Sequence, residues 1–360
     1  MGIRDFAIST NHPFNKYKPG QTVRGKVHFK LSEPKKVRGV YIKAKGKATV
    51  EFHETQTSGK LTRSVRYFSE YEYFNHRIYF SGSHGGNSYE LAAGEHNYKF
   101  EYILPLGIPS TYSGIYGRIV YKLKAVLDIP LAFDDEEEVI LDITSPIDLN
   151  NMPHLKRSGR RTEEKNLYCL CCASGPISIQ VYIPKTGFTH GEEIPVKIDV
   201  ENQTGTEIVK VYCKLKQNVT FHSTHPSHHT REEDTTLSEK TLSGVAGRST
   251  EIYEEILGVP LTPPINFTNC NFLEVDYKLK VTACISGLHL DLDVEIPITL
   301  GSIPIRDDNE VQQPVSIFAG LGTPYPHDGR GDTAGTFAKL IDTSAGWRIP
   351  QEKNGSGSST

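Results

Sequence analysis

Apolar and polar residues alternate one for one along much of this chain. Val23, Val27, Phe29 and Leu31 are interleaved with Arg24, Lys26, His28 and Lys30. Ile42, Ala44, Ala48, Val50 and Phe52 are interleaved with Lys43, Lys45, Lys47, Thr49 and Glu51, and Ile119, Tyr121, Leu123, Ala125, Leu127 and Ile129 form a third apolar row. In an extended chain successive side chains leave on opposite faces, whereas a helix needs apolar residues every three or four positions. The second half repeats the pattern, in Ile177–Ile183, Ile194–Val200, Val209–Phe221 and Leu288–Ile298. One apolar and one wet face per strand is what antiparallel sheets packed in pairs require. No amphipathic helix longer than two turns stands out. The expected fold class is all-β, built from antiparallel β-sandwich domains.

The number of domains follows from an internal repeat. Ile119-Val-Tyr-Lys-Leu-Lys-Ala-Val126 returns as Val275-Asp-Tyr-Lys-Leu-Lys-Val-Thr282. Leu104-Pro-Leu-Gly-Ile-Pro109 has its counterpart in Val259-Pro-Leu-Thr-Pro-Pro264, and Tyr17-x-x-Gly20-x-x-Val23 in Phe188-x-x-Gly191-x-x-Ile194. A unit of about 150 residues is too long for a solenoid repeat and suits a whole domain. The sequence therefore divides into a sandwich over 1–149, a polar linker over 150–168, a second sandwich over 169–302 and a disordered tail over 303–360, where Gly, Ser, Thr, Asp and Pro displace the alternation.

Composition narrows the function class. A formal charge of −3 exerts no global pull on nucleic acid or anionic lipid, so such contacts need a local patch. No stretch approaches the roughly 18–20 apolar residues that cross a bilayer, and Met1–Thr10 has no apolar core of a secretory signal. The six cysteines all lie beyond residue 168. An unstapled first domain points to a reducing cytosol. The sequons at Asn202, Asn218 and Asn266 then read as strand and turn residues.

Several motifs have a plain rival reading. Gly20-Gln-Thr-Val-Arg-Gly25-Lys26 nearly spells a phosphate-binding loop, but Val27 and a strand follow where Ser or Thr and a helix are required. Four histidines crowd into Phe221-His-Ser-Thr-His-Pro-Ser-His-His-Thr230. Three or four such rings could hold zinc, but a solvated hairpin tip is the expected reading. Cys171 and Cys172 are candidates for reversible acylation, against a strand with buried thiols. Lys156, Arg157, Arg160 and Arg161 are the candidates for contact with an anionic membrane or cargo, against a solvated linker offset by Glu163 and Glu164. Asp134-Asp-Glu-Glu-Glu138 reads as an exposed turn. No nucleophile elbow, dinucleotide fingerprint or zinc-protease pair occurs. The expectation is a protein that is not an enzyme and carries no cofactor or metal.

Several blocks carry a specific resemblance. Tyr17-Lys-Pro-Gly-Gln-Thr-Val-Arg-Gly-Lys-Val27, the run from Phe100 to Tyr121, Cys171-Cys-Ala-Ser-Gly-Pro-Ile-Ser178, Gly187-Phe-Thr-His-Gly-Glu-Glu-Ile194, Asn269-Cys270 and Ile296-Pro-Ile-Thr-Leu-Gly301 occur in the order found in the α-arrestins, the arrestin-domain-containing proteins. The resemblance covers about residues 5–302. It implies two tandem arrestin-like sandwiches, N-like then C-like, and a cytosolic adaptor recruited to the plasma membrane or endosomes. Its implied partners are cytosolic segments of membrane receptors or transporters and a HECT-type ubiquitin ligase, promoting cargo ubiquitination and endocytosis. The alternative from another class is a structural subunit of a coat or retrieval complex. The chain departs from the family at its ligase motif, because Pro263-Pro264 runs into Ile265-Asn266 instead of Pro-Pro-x-Tyr. It also has no cysteine between Cys213 and Cys270, so the thioredoxin pairing of one family member is not expected.

Overall fold

The computed structural model describes residues 2–59, 61–167, 175–262, 265–306 and 347–348. The first half forms β1 (Ile3–Thr10), β2 (Lys16–Tyr17), β3 (Thr22–Leu31), β4 (Lys35–Val37), β5 (Gly39–Ser58) and β6 (Leu61–Gly82). It continues through β7 (Tyr89–Leu91), β8 (Gly94–Ile103), β9 (Tyr112–Ser113), β10 (Gly117–Asp128) and β11 (Asp135–Ile143). The second half forms β12 (Gly159–Lys165), β13 (Ile177–Ile183), β14 (Gly187–Thr189), β15 (Glu193–Asn202) and β16 (Ile208–Ser223). β17 (His229–Leu242), β18 (Ser249–Gly258), β19 (Leu273–Ile285) and β20 (Leu292–Gly301) complete it, and a two-residue β21 (Trp347–Arg348) pairs with β8.

Each half is a sandwich of two sheets, and the two halves share one wiring. In the first, β1-β3-β8 faces β2-β11-β10-β5-β6; in the second, β13-β15-β18 faces β14-β20-β19-β16-β17. The repeated Tyr-Lys-Leu-Lys segments lie in β10 and β19, the same strand of the two copies. Period-two burial follows the pattern: Ile119, Tyr121, Leu123, Ala125 and Leu127 are buried on β10, and Ile194, Val196, Ile198 and Val200 on β15. Each Val, Leu or Ile so covered contributes about 1.5–3 kcal/mol relative to exposure.

The twin glycine turns are equally literal. Gly20 and Gly191 both take left-handed backbone, at φ +80° and +78°. A methyl group there would strike Leu106 at 2.7 Å and Leu261 at 2.9 Å. Thr22 starts β3 directly after the first of these turns, so the near-phosphate-loop residues belong to a turn and a strand.

Two stretches differ from expectation. Residues 150–168, expected as linker, contain a 3-10 turn at Pro153–Lys156 and β12, whose residues from Gly159 to Lys165 pair with β13. A charged run suits the outer strand of a sheet, where one row of backbone groups faces water. Asp134–Glu138, expected as an exposed turn, instead enters β11 at Asp135; Glu138 pairs with Lys122 at 2.7 Å and Glu136 with Lys124. Opposite charges on neighbouring strands offset the weak strand preference of these acids. The tail expected to be disordered lies outside the described residues, except 303–306 and 347–348.

Candidate functional site

β5 and β6 run 20 and 22 residues against 10 in β3 and β8 and 12 in β10, and their far halves meet the second domain. Aromatic residues of β6, Tyr67, Phe68, Tyr71 and Tyr73, line one side of this meeting place. Phe52 and Tyr67 stack at 5.6 Å and are nearly sealed from water. From the other side come Val219 and Phe221 of β16 and Phe267, Cys270, Phe272 and Leu273, all of them part of the first domain's hydrophobic cluster. Phe221 stands edge-on to Tyr116 at 5.6 Å, and Phe267 edge-on to Tyr112 at 4.9 Å. Gly117 permits the approach, since a methyl group there would lie 2.9 Å from the Phe221 ring and 3.1 Å from Leu273.

Buried polar groups at the junction are matched across it, as burial demands. Ser110 donates its N–H to the Asn266 carbonyl at 2.9 Å. The Asn266 side-chain amide donates to the carbonyl and hydroxyl of Ser145, both at 3.2 Å. Asn269 donates its amide to the Gly107 carbonyl at 2.8 Å. Asn202, by contrast, holds its own turn through the carbonyls of Thr206 and Ala246.

The four-histidine segment, expected as a solvated hairpin tip, is the turn between β16 and β17 with Thr224–His228 exposed, and it makes contacts that the sequence did not suggest. Its residues dock on β5 and β6. His225 stacks on Phe68 at 5.2 Å, and the two exchange backbone hydrogen bonds, Phe68 N–H to the His225 carbonyl at 2.8 Å and the reverse at 3.1 Å. The His229 ring lies 4.7 Å from that of Tyr67 and meets the Glu54 carboxylate at 2.8 Å; Arg231 binds the same carboxylate. Glu54 is only 17% exposed in its side chain, and a carboxylate so enclosed needs such partners. Sequence spacing could not show this, because the partners, Glu54, Tyr67 and Phe68, lie far upstream in the other domain.

Two recesses flank the docked strands. One, of about 640 Å³, has Ser69, Glu70, Tyr71, Tyr73 and Leu106 on one wall and Thr224, Asn269, Asn271 and Phe272 on the other. The second, of about 680 Å³, carries Lys47, Arg66 and Arg118 among Glu51 and Glu70. Arg66 grips Glu51 with two bonds of 2.8 Å, and its hydrogen bonding holds that carboxyl below the usual range. The surfaces offer hydrogen-bonding groups and rings. The buried thiols are unsuited to attack: burial pushes Cys213 up to about 12 and Cys270 upward as well. Among the described residues no group of three or more His, Cys, Asp or Glu is arranged for a metal ion.

The sequence candidates fall elsewhere. Lys156 and Arg157 are exposed at the end of the 3-10 turn before β12. Arg160 and Arg161 leave β12 on opposite faces, Arg160 level with Tyr182 and Arg161 paired with Glu163 at 3.2 Å. Both touch a smaller recess of about 360 Å³ beside Leu155, Glu295 and Pro297 of the second half. Cys171 and Cys172 lie outside the described residues. Glu54 and Phe68 were missed, and His225 and His229, weighed in the sequence only as metal ligands or loop residues, belong to the junction; the aromatic content of β6 was the signal for it.

Comparison with known proteins agrees with the wiring. The description "Arrestin (or S-antigen), N-terminal domain" matches residues 6–150, and its C-terminal counterpart matches residues 173–305. Human arrestin domain-containing protein 1 is 26% identical over 89% of this chain and 69% of its own length. Arrestin domain-containing protein 17 of Caenorhabditis elegans is 30% identical over 83% and 70%, and human arrestin domain-containing protein 4 is 29% identical over 80% and 68%. Proteins of this kind are in general non-catalytic adaptors. With its two sister sandwiches and both arrestin domains in order, the chain belongs to the arrestin-domain-containing proteins, the α-arrestins.

Proposed function

We propose that the protein works in the cytosol as a trafficking adaptor without catalytic activity. It holds cytosolic segments of membrane receptors or transporters and brings them, directly or through a partner, to a HECT-type ubiquitin ligase and on to endocytosis. Family membership supports this reading, and one observation carries it: the recess of about 640 Å³ is walled by both domains. A segment bound there contacts both domains at once, and pockets of this size, about 300–1,000 Å³, are those that bury ligands well. Peripheral contact with the plasma membrane or endosomes is part of the proposal, with the exposed Lys156, Arg157, Arg160 and Arg161 as separate cationic points.

Proximity labelling in cells tests it. The expected result is labelling of membrane receptors or transporters together with ligase and endosomal proteins. Labelling of no membrane cargo, or purification only as a stable stoichiometric complex, would replace the adaptor by a structural coat subunit.

A further inference from the structure

β6 is the outer strand of its sheet, and an outer strand presents a row of N–H and C=O groups to whatever can pair with them. At Phe68 both groups are already taken by His225 of the second domain, at 2.8 and 3.1 Å. In an antiparallel sheet the outward-pointing groups recur at every second residue. A second observation fixes the phase. Glu51, opposite Phe68 on β5, sends its N–H the other way, to the Tyr116 carbonyl at 2.8 Å. Glu70 lies opposite Thr49 and Glu72 opposite Lys47 in the same phase. Their N–H and C=O groups therefore point outward, and neither has a backbone partner among the described residues. The run ends at Tyr73, where the register shifts between Gly46 and Lys47.

Glu70 lines the recess between the domains, and Glu72 continues the same strand edge beyond it. The geometry points to β6 as a strand-addition site: an extended segment of a partner protein pairs with Glu70 and Glu72, continuing the rung that the second domain begins at Phe68. The site rests on the adaptor reading for the source of the segment and adds to it the form that the segment takes.

The surroundings set its chemistry. Alternate side chains of an added strand would enter the recess, against Tyr71 and Tyr73, which stand edge-on at 5.1 Å, the 75%-exposed Leu106, and Phe272. Large apolar residues suit that side. The Tyr73 hydroxyl is buried beside the Cys270 thiol and makes no conventional hydrogen bond. The other set of side chains would lie over Glu70 and Glu72, which are already bound by Lys47 at 2.6 Å and Lys45 at 3.1 Å. That face makes no demand for charge, so uncharged polar residues suit it. The preferred ligand is an extended segment alternating large apolar with uncharged polar residues, its affinity coming from main-chain bonds and its selectivity from the recess.

A pool of eight-residue peptides alternating Leu, Ile, Phe or Tyr with Thr, Ser, Asn or Gln, selected on the purified full chain, tests this. The best binder is remade with N-methyl groups at alternate amides in each of the two phases. One phase is expected to lose at least tenfold in affinity and the other little. Glu70→Pro removes an outward donor while leaving the bonds to β5, and Leu106→Lys changes the recess from an exposed loop position. Each is expected to weaken binding at least tenfold, and bound peptide is expected to slow amide exchange at Glu70 and Glu72. Should Glu70→Pro unfold the chain, the N-methyl phases and Leu106→Lys decide. Failure of any peptide to enrich, equal effects of the two N-methyl phases, or unchanged affinity in Leu106→Lys overturns the proposal. Cargo labelling that persists in Leu106→Lys cells while peptide binding fails removes this site and leaves the adaptor reading standing. Absence of labelling by the unmutated chain removes the adaptor reading instead.

Discussion

The two sandwiches share their wiring and differ by the sign of one charge in an equivalent row. In the second domain, Lys280 of β19 lies opposite Lys214 of β16, which lies opposite Glu239 of β17. Both lysines end on acids, Lys214 on Glu239 at 3.2 Å and Lys280 on Asp293 at 2.7 Å. In the first domain the equivalent row is Lys124, Lys43 and Arg77. Lys124 has Glu136, but Lys43 stands between two cations. Like charges placed opposite one another on a sheet repel. Accordingly the Lys43 ammonium is held below its usual 10.5, through burial first and then through Arg77, Lys45 and Lys124, whereas the Asp293 hydrogen bond raises Lys280. Duplication preserved the strand order; each copy then balanced its own surface.

A second difference is larger in energy: the first domain borrows part of its core from the second. The strongest way to break the comparison is therefore Phe221→Ala. Phe221 is fully buried in the first domain's cluster, and its loss is expected to destabilise by about 3–5 kcal/mol. Amide exchange should then accelerate more in β5 and β10 than in β13 and β15. The reverse order would show that Phe221 serves only its own domain.

Glu54→Ala strips His229 and Arg231 of their shared carboxylate and is expected to cost about 1–3 kcal/mol. An increase in the radius of gyration by solution scattering checks that the loss opens the junction. Gly20→Ala and Gly191→Ala place a side chain at strongly positive φ. Each should cost about 1–2 kcal/mol, and thermal melts that differ widely between them would mean that the twin turns are not equivalent.

The smallest effect sharpens the charge comparison most. Lys43→Gln is expected to stabilise by roughly 0.5 kcal/mol and Lys280→Gln to destabilise by a similar amount. Because Lys43 titrates below 10.5 in the folded chain, the unfolded chain binds more protons between its lowered value and 10.5. Its penalty therefore fades, and stability rises, as pH climbs through that window. Lys280 has the opposite sign: its contribution is full below 10.5 and is lost as pH rises through its raised value. Denaturant titrations of the two variants from pH 8 to alkaline pH should show opposite slopes relative to the parent chain.

The strands and the duplication were legible because they are local: period-two alternation in Val23–Leu31 or Ile119–Ile129 is decided within a few residues. What was not legible depends on distant partners. The histidine segment has the composition of a loop, and only the presence of Glu54, Tyr67 and Phe68 on long neighbouring strands turns it into a joint. The acids of Asp134–Glu138 similarly look like a turn until the lysines of β10 stand beside them. Lys156, Arg157, Arg160 and Arg161 cluster in sequence but are dispersed by a 3-10 turn and by the two faces of β12.

The shared cluster also bears on how this molecule can be divided. Val219, Phe221, Phe267, Phe272 and Leu273 fill places in the first sandwich although they belong to the second half of the chain, on β16, β19 and the connection before β19. A fragment cut after residue 149 would retain β1 to β11 yet expose the apolar seat of those rings, a surface prone to self-association. The boundary drawn by the repeat is thus not a line along which the protein separates cleanly, and a working half would have to carry, or be given, a substitute for the missing plug.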